Sequence, residues 1–181
     1  MWKWLAAGLA LVVVAAGLWA FEPWRLWTSS EIDEPLPTVV ADDAAAPGDG
    51  RSEGSGRSRD SAPEAPASPR TLASGEFEDA EHDTSGRARV IELADGRRFV
   101  RLEDLASSDG PDLHVWLTDQ PSGGEWGSYD DGRYLRLGEL KATHGNQNYE
   151  IPADADLGGL ASVVIWCDRF DVAFGTAPVA L

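Results

Sequence analysis

Few residues in this 181-residue chain could do chemistry. There is one cysteine, Cys167, set in the apolar run Ser162–Asp168. A lone thiol has no partner for an intramolecular disulfide. It can pack as a small hydrophobe, cycle between redox states, pair with another chain, or ligate a metal or haem iron as a thiolate. No base or helix start stands beside it in sequence to lower its pKa.

The three histidines, His82, His114 and His144, have no metal-site spacing relative to one another or to Cys167, so no metal centre is expected from them. His82 lies among acids between Glu76 and Asp83, which favour its charged form and an ion pair. His114 shares a strand face with Trp116, and His144 falls in an expected turn, so both read as solvent-facing or structural. Neither Asp79, Glu81 and Asp83 nor Asp130 and Asp131 follow an EF-hand pattern. Nucleophile-elbow, zincin, P-loop and dinucleotide fingerprints are missing, so hydrolase and nucleotide chemistry lose their support.

The elements that must position these groups are strands. Helical periodicity is weak from Thr71 to Leu181, while short alternating runs separated by Gly, Pro, Asp and Asn recur. Asp95-Gly96 predicts a two-residue type I′ hairpin, with Ile91 and Leu93 beside Val100 and Leu102 on one face. Leu113, Val115 and Leu117 alternate with His114, Trp116 and Thr118. Tyr134–Leu137, Leu140–Ala142 and Gln147–Ile151 read as strands, the last two joined across His144-Gly145-Asn146. The continuous apolar run Ser162–Asp168 predicts a central strand buried on both faces, with Phe170–Phe174 returning beside it. The expected fold is an all-β antiparallel sandwich, open to Greek-key connections.

Ahead of it, Leu5–Phe21 is uncharged and spans about 26 Å as a helix, matching a bilayer, with Trp2, Trp4, Trp19, Trp24 and Trp27 clustered at its ends. Residues 1–27 are expected to form a membrane anchor, with a transmembrane helix over about 4–24. Lys3 and the amino terminus lie inside, and the carboxy-terminal domain is extracytoplasmic. The alternative is a secreted protein after signal-peptide cleavage. Residues 28–70, rich in Pro, Ser, Gly and Ala, are expected to be a disordered linker with an r.m.s. span of roughly 35–40 Å. Residues 71–181 form the domain.

Net charge is −16 overall and −12 over residues 71–181. Such a surface repels phosphates, so nucleic acid is not an expected partner.

Six stretches occur in order: Gly75-Glu76-Phe77; His82 with Ser85, Gly86 and Ala88; Gly110-Pro111-Asp112-Leu113; Leu137-Gly138 with Leu140-Lys141; Gly145-Asn146-Gln147-Asn148-Tyr149 with Ile151-Pro152; and Ser162-Val163-Val164-Ile165-Trp166-Cys167. Over about 71–181 the chain thereby resembles the DM-thirteen domain family. The resemblance implies a β-sandwich and a role in extracellular electron transfer. It implies that Cys167 is the family's characteristic cysteine, acting as a bare thiol or as a ligand to haem or a metal, with His82 as a companion.

Two functions follow. In the first the chain is a membrane-tethered redox module working through Cys167 toward a redox or cell-surface protein partner. In the second it is a non-enzymatic binding module, with Trp116, Asn146 and Asn148 on a recognition surface and Cys167 merely core. No catalytic motif points to an enzyme.

Overall fold

The computed structural model describes residues 2–21, 28–39 and 68–181. The first stretch holds one helix, α1 (Trp2–Phe21). Apart from Lys3 its residues are uncharged, and among the described residues it is the one helix long and apolar enough to cross a membrane. A membrane anchor and a signal sequence share that character. The outer part of the expected aromatic belt, Trp24 and Trp27, lies outside the described residues, as do residues 40–67 of the expected linker.

The rest is a sandwich of two five-stranded sheets. One sheet has the order β1 (Glu31–Asp33), β8 (His144–Ile151), β5 (Arg98–Ala106), β4 (Ser85–Glu92), β2 (Arg70–Glu76). The other runs β3 (Glu78–Asp79), β10 (Val172–Pro178), β9 (Ser162–Cys167), β6 (Leu113–Thr118), β7 (Tyr134–Glu139). All pairings are antiparallel except β1 with β8. Val163, Ile165 and Cys167 of β9 and Leu113, Val115 and Leu117 of β6 point between the sheets. There they meet Ala88, Val90, Val100, Leu102, Tyr149 and Phe174. Each large apolar side chain buried there contributes about 1.5–3 kcal/mol.

Strand β9 is buried along its whole length, as its composition predicts. Its outward residues Val164 and Trp166 pack with Trp116, Ala173 and Tyr129. Tyr129 comes from the long connection between β6 and β7. Thr118 Oγ1 donates to the Tyr129 carbonyl at 3.0 Å, and the Tyr129 hydroxyl accepts the Gly124 N–H at 2.9 Å.

Three local expectations are corrected. The β4–β5 hairpin is a three-residue loop closed by Leu93 N–H to Arg97 O (2.8 Å) and Gly96 N–H to Leu93 O (3.0 Å). Only Gly96 in it takes a positive φ, 85°, and Asp95 instead accepts the Arg97 N–H at 3.0 Å. The extra loop residue slides the register by one. Val90 therefore faces Val100 and Ile91 faces Phe99, and Ile91, Leu93 and Phe99 lie on the outer face of their sheet. Residues 140–142 are not a strand: Gln147 and Tyr149 hold this turn through Gln147 Nε2 to Ala142 O (2.7 Å) and Lys141 N–H to the Tyr149 hydroxyl (2.9 Å). His144-Gly145-Asn146 belongs to β8, where Gly145 at φ 94° faces the Ile32 backbone closely enough to exclude a side chain.

The third correction has the widest reach. Residues 28–39, assigned by composition to the linker, run along the first sheet. They pair Glu31–Asp33 with His144–Asn146 and lay Leu36 and Val39 over Ile91, Leu93 and Phe99. This strap is held by side chains. The buried Arg101 donates from Nη1 to the carbonyls of Glu34 (2.8 Å) and Pro35 (3.3 Å) and to Asn148 Oδ1 (2.9 Å). Lys141 Nζ donates to both Glu34 carboxylate oxygens, at 2.8 and 3.0 Å, and the Asn148 N–H reaches Glu34 Oε2 at 2.7 Å. Composition missed the strap because its hold comes from hydrogen bonds to residues more than sixty positions away.

Burial alone would raise the Glu34 pKa. The Lys141 and Asn148 hydrogen bonds and the Lys141 charge outweigh it, and the net shift is downward. Stability from this carboxylate is thus present above its unfolded pKa of about 4.3 and is lost as pH falls through the lower folded value. In denaturation titrations, Glu34→Gln is expected to be less stable than wild type at pH 7, with the gap narrowing by pH 3. A gap that does not change with pH would refute the charge-based account.

Candidate functional site

Cys167 ends β9 with its side chain turned inward, opposite Leu113 in the β6 ladder, and it is wholly buried. The corner around it is built by the two chain reversals that meet there. Asp168 donates its N–H to the Asp112 carbonyl at 3.0 Å, which ties the Gly110-Pro111-Asp112 turn to the end of β9. Gly110 is buried with no room for a side chain, since an added Cβ would stand 2.9 Å from Phe174 Cζ and 3.0 Å from Leu113 Cδ2. After Cys167 the chain turns through Phe170 N–H to Cys167 O (3.3 Å), and Asp171 takes a positive φ of 52° to enter β10.

Burial raises the pKa of the Cys167 thiol, and the nearby Asp112 carboxylate adds to the rise. The backbone of Phe170, Arg169 and Asp112 partly opposes it. The net shift is upward, so the resting group is a thiol.

Asp112 also faces a polar cleft of about 430 Å³, whose wall includes Thr28, Asp109, Glu139, Lys141 and Thr143. Cys167 is not on that wall. A porphyrin or a metal reaching the sulfur needs an opening at Cys167, and this side chain is wholly buried. The surroundings of Cys167 therefore do not fit haem or metal ligation.

His82 is not brought to the sulfur. Its ring lies against Phe174, centroids 4.0 Å apart, with Nε2 3.9 Å from Glu81 Oε2. Trp116, expected on an exposed recognition surface, is only 2 % exposed. It is stacked between Tyr134 (4.4 Å) and Trp166 (4.8 Å), with the Arg136 guanidinium 5.0 Å from its ring. Asn146 and Asn148 are engaged by the strap, Asn146 Nδ2 donating to Asp33 Oδ1 (2.7 Å) and Asn148 Nδ2 to Pro35 O (2.9 Å). The expected recognition surface is corrected accordingly, because the strap and the aromatic stack already occupy it. Trp126, by contrast, is 52 % exposed.

One constellation was not read from the sequence. His114 Nε2 lies 2.9 Å from Asp112 Oδ1 and 3.4 Å from Asp168 Oδ2, and Arg136 is bonded to the same Asp168 oxygen. Among the described residues these three are the group of potential metal ligands that converges. The available signal was Asp-x-His at the start of a strand. Its third member is supplied by a neighbouring strand more than fifty residues away.

A two-sheet sandwich whose only thiol sits at a strand end beside the Gly110-Pro111-Asp112 turn defines a single-cysteine β-sandwich domain behind an apolar helix. Residues 76–179 match the family model described as electron transfer DM13, so the chain belongs to the DM-thirteen family. No curated protein and no solved structure matches the chain. Membership supports a redox role, and the helix is consistent with membrane attachment.

Because folding raises the Cys167 pKa, its stabilising contribution is full below the unfolded value of about 8.5 and is lost as pH rises from there through the folded value. Wild type is expected to lose stability between about pH 8 and 10 relative to Cys167→Ala, read as a narrowing or inversion of their difference in denaturation midpoint. Parallel pH profiles would show that the sulfur does not titrate on unfolding.

Proposed function

We propose that the chain is a membrane-anchored, extracytoplasmic electron-transfer module whose redox centre is the Cys167 thiol, working without haem. The family supports the redox role. The observation that supports the assignment to Cys167 is its placement: the one thiol of the chain stands at the end of β9, between the Gly110-Pro111-Asp112 turn and the turn into β10. Such a thiol is protected at rest. It becomes a thiolate when the corner admits a partner that accepts the electrons. With one cysteine, oxidation proceeds by attack of the thiolate on a partner's disulfide: a mixed disulfide forms, the partner's S–S bond breaks, and its second sulfur leaves as a thiolate.

The strap alters how such a module meets its partner. Residues 22–27 alone separate α1 from the docked strap, so the chain between Phe21 and Thr28 reaches at most about 25 Å. In this reading the domain is held close to the bilayer, and residues 40–67 leave and re-enter the same body. Thr28 and Asp112 share one cleft, so in this reading the cysteine corner lies toward the end where the anchor joins.

The second reading, a binding module with Cys167 as core, is favoured by the complete burial of that side chain. Labelling of the thiol by a disulfide reagent across low denaturant concentrations separates the two. The redox reading expects modification through a local opening, with a rate nearly independent of denaturant and at least tenfold faster than global unfolding permits. Labelling that tracks global unfolding at every concentration would leave Cys167 as core and favour the binding module.

A further inference from the structure

We propose that Asp112, His114 and Asp168 form a binding site for a divalent transition-metal ion of the Zn²⁺ class, on the outer face of the second sheet and separate from the inward-facing sulfur. Ligands bound about 2.1 Å from one ion stand about 3.0 Å apart at a right angle and about 3.4 Å apart at a tetrahedral angle. The two separations from His114 Nε2, 2.9 and 3.4 Å, fall at those values.

The ligands sit on rigid supports. Asp112 and Asp168 are joined by the backbone hydrogen bond between them, and His114 pairs with Trp166 in the β6–β9 ladder. None has to travel for an ion to enter. All three are half-buried, His114 at 16 % and Asp168 at 23 % side-chain exposure, so the site is shielded on one side and open on the other.

Glu139 stands directly opposite His114 in the β6–β7 ladder, and cross-strand partners share a face, so a third carboxylate is within reach of the open side. One imidazole with carboxylates suits Zn²⁺, Mn²⁺ or Fe²⁺ and not a soft ion such as Cu⁺. Arg136 competes for the site by bonding Asp168. It is half-exposed and free to swing outward, and doing so removes it from the face of Trp116.

The test is Zn²⁺ binding to the full-length chain in detergent, followed by competition with a chromophoric chelator and by tryptophan fluorescence. One saturable Zn²⁺ per chain is expected. His114→Ala and Asp168→Asn should each weaken binding at least tenfold, while Arg136→Gln, which removes the competing cation at an exposed position, should tighten it severalfold. Co²⁺ in place of Zn²⁺ should give ligand-field bands without a sulfur charge-transfer band and should quench fluorescence from the adjacent Trp116 and Trp166. The proposal is overturned if no saturable site is found, if Arg136→Gln weakens or does not alter binding, or if a sulfur-to-cobalt band vanishes in Cys167→Ala.

Discussion

The architecture depends on one strand that cannot face water on either side. Residues 162–167 carry six consecutive buried side chains, so β9 must be covered twice. The facing sheet covers Val163, Ile165 and Cys167, and the packing of Trp116 and Tyr129 covers Val164 and Trp166. The second cover explains the long connection between β6 and β7. A short hairpin there would leave two large apolar side chains in solvent, at a cost of about 1.5–3 kcal/mol each. Placing the cysteine at the end of this strand sets the sulfur's character. It is deep enough to remain a thiol, and it stands where the two turns that close the sandwich meet.

Much of what distinguishes this sequence is spent on holding the fold. Tyr149 donates its hydroxyl to Gln147 Oε1 at 2.7 Å while accepting from Lys141, and burial keeps that phenol protonated well beyond its usual range. Gly145 and Asn148 receive the strap, and Gly110 lets the Cys167 corner close against Phe174. The Gly-Pro-Asp-Leu turn is the exception with two roles, since Asp112 both ties the turn to the end of β9 through its carbonyl and faces the histidine.

The alternation of Leu113, Val115 and Leu117 and the unbroken apolar run before Cys167 announced the sandwich and its central strand, because burial on one face or two leaves a direct pattern in composition. The hairpin register was not legible, since Asp-Gly serves both two-residue and three-residue loops and a single extra residue exchanges the faces. His114 looked solitary because its carboxylate neighbours come from a turn and a distant strand. Trp116 looked exposed because its partners, Tyr134 and Trp166, are brought to it only by pairing on both sides of β6. Residues 28–39 read as linker because their few apolar side chains, Leu36 and Val39, cover a face that the misplaced register had already turned inward.

The strap also guards the molecule against its own kind. Strand β8 is eight residues long, and β1 occupies part of its outer edge while Leu36 and Val39 lie over the apolar patch of Ile91, Leu93 and Phe99. If the strap were lifted or cut away, an unpaired edge and an apolar face would be presented together, the combination that recruits strands from other chains. Neighbouring copies at high density could then exchange straps without unfolding either sandwich. Local concentration would then decide whether each domain closes on itself or on its neighbour.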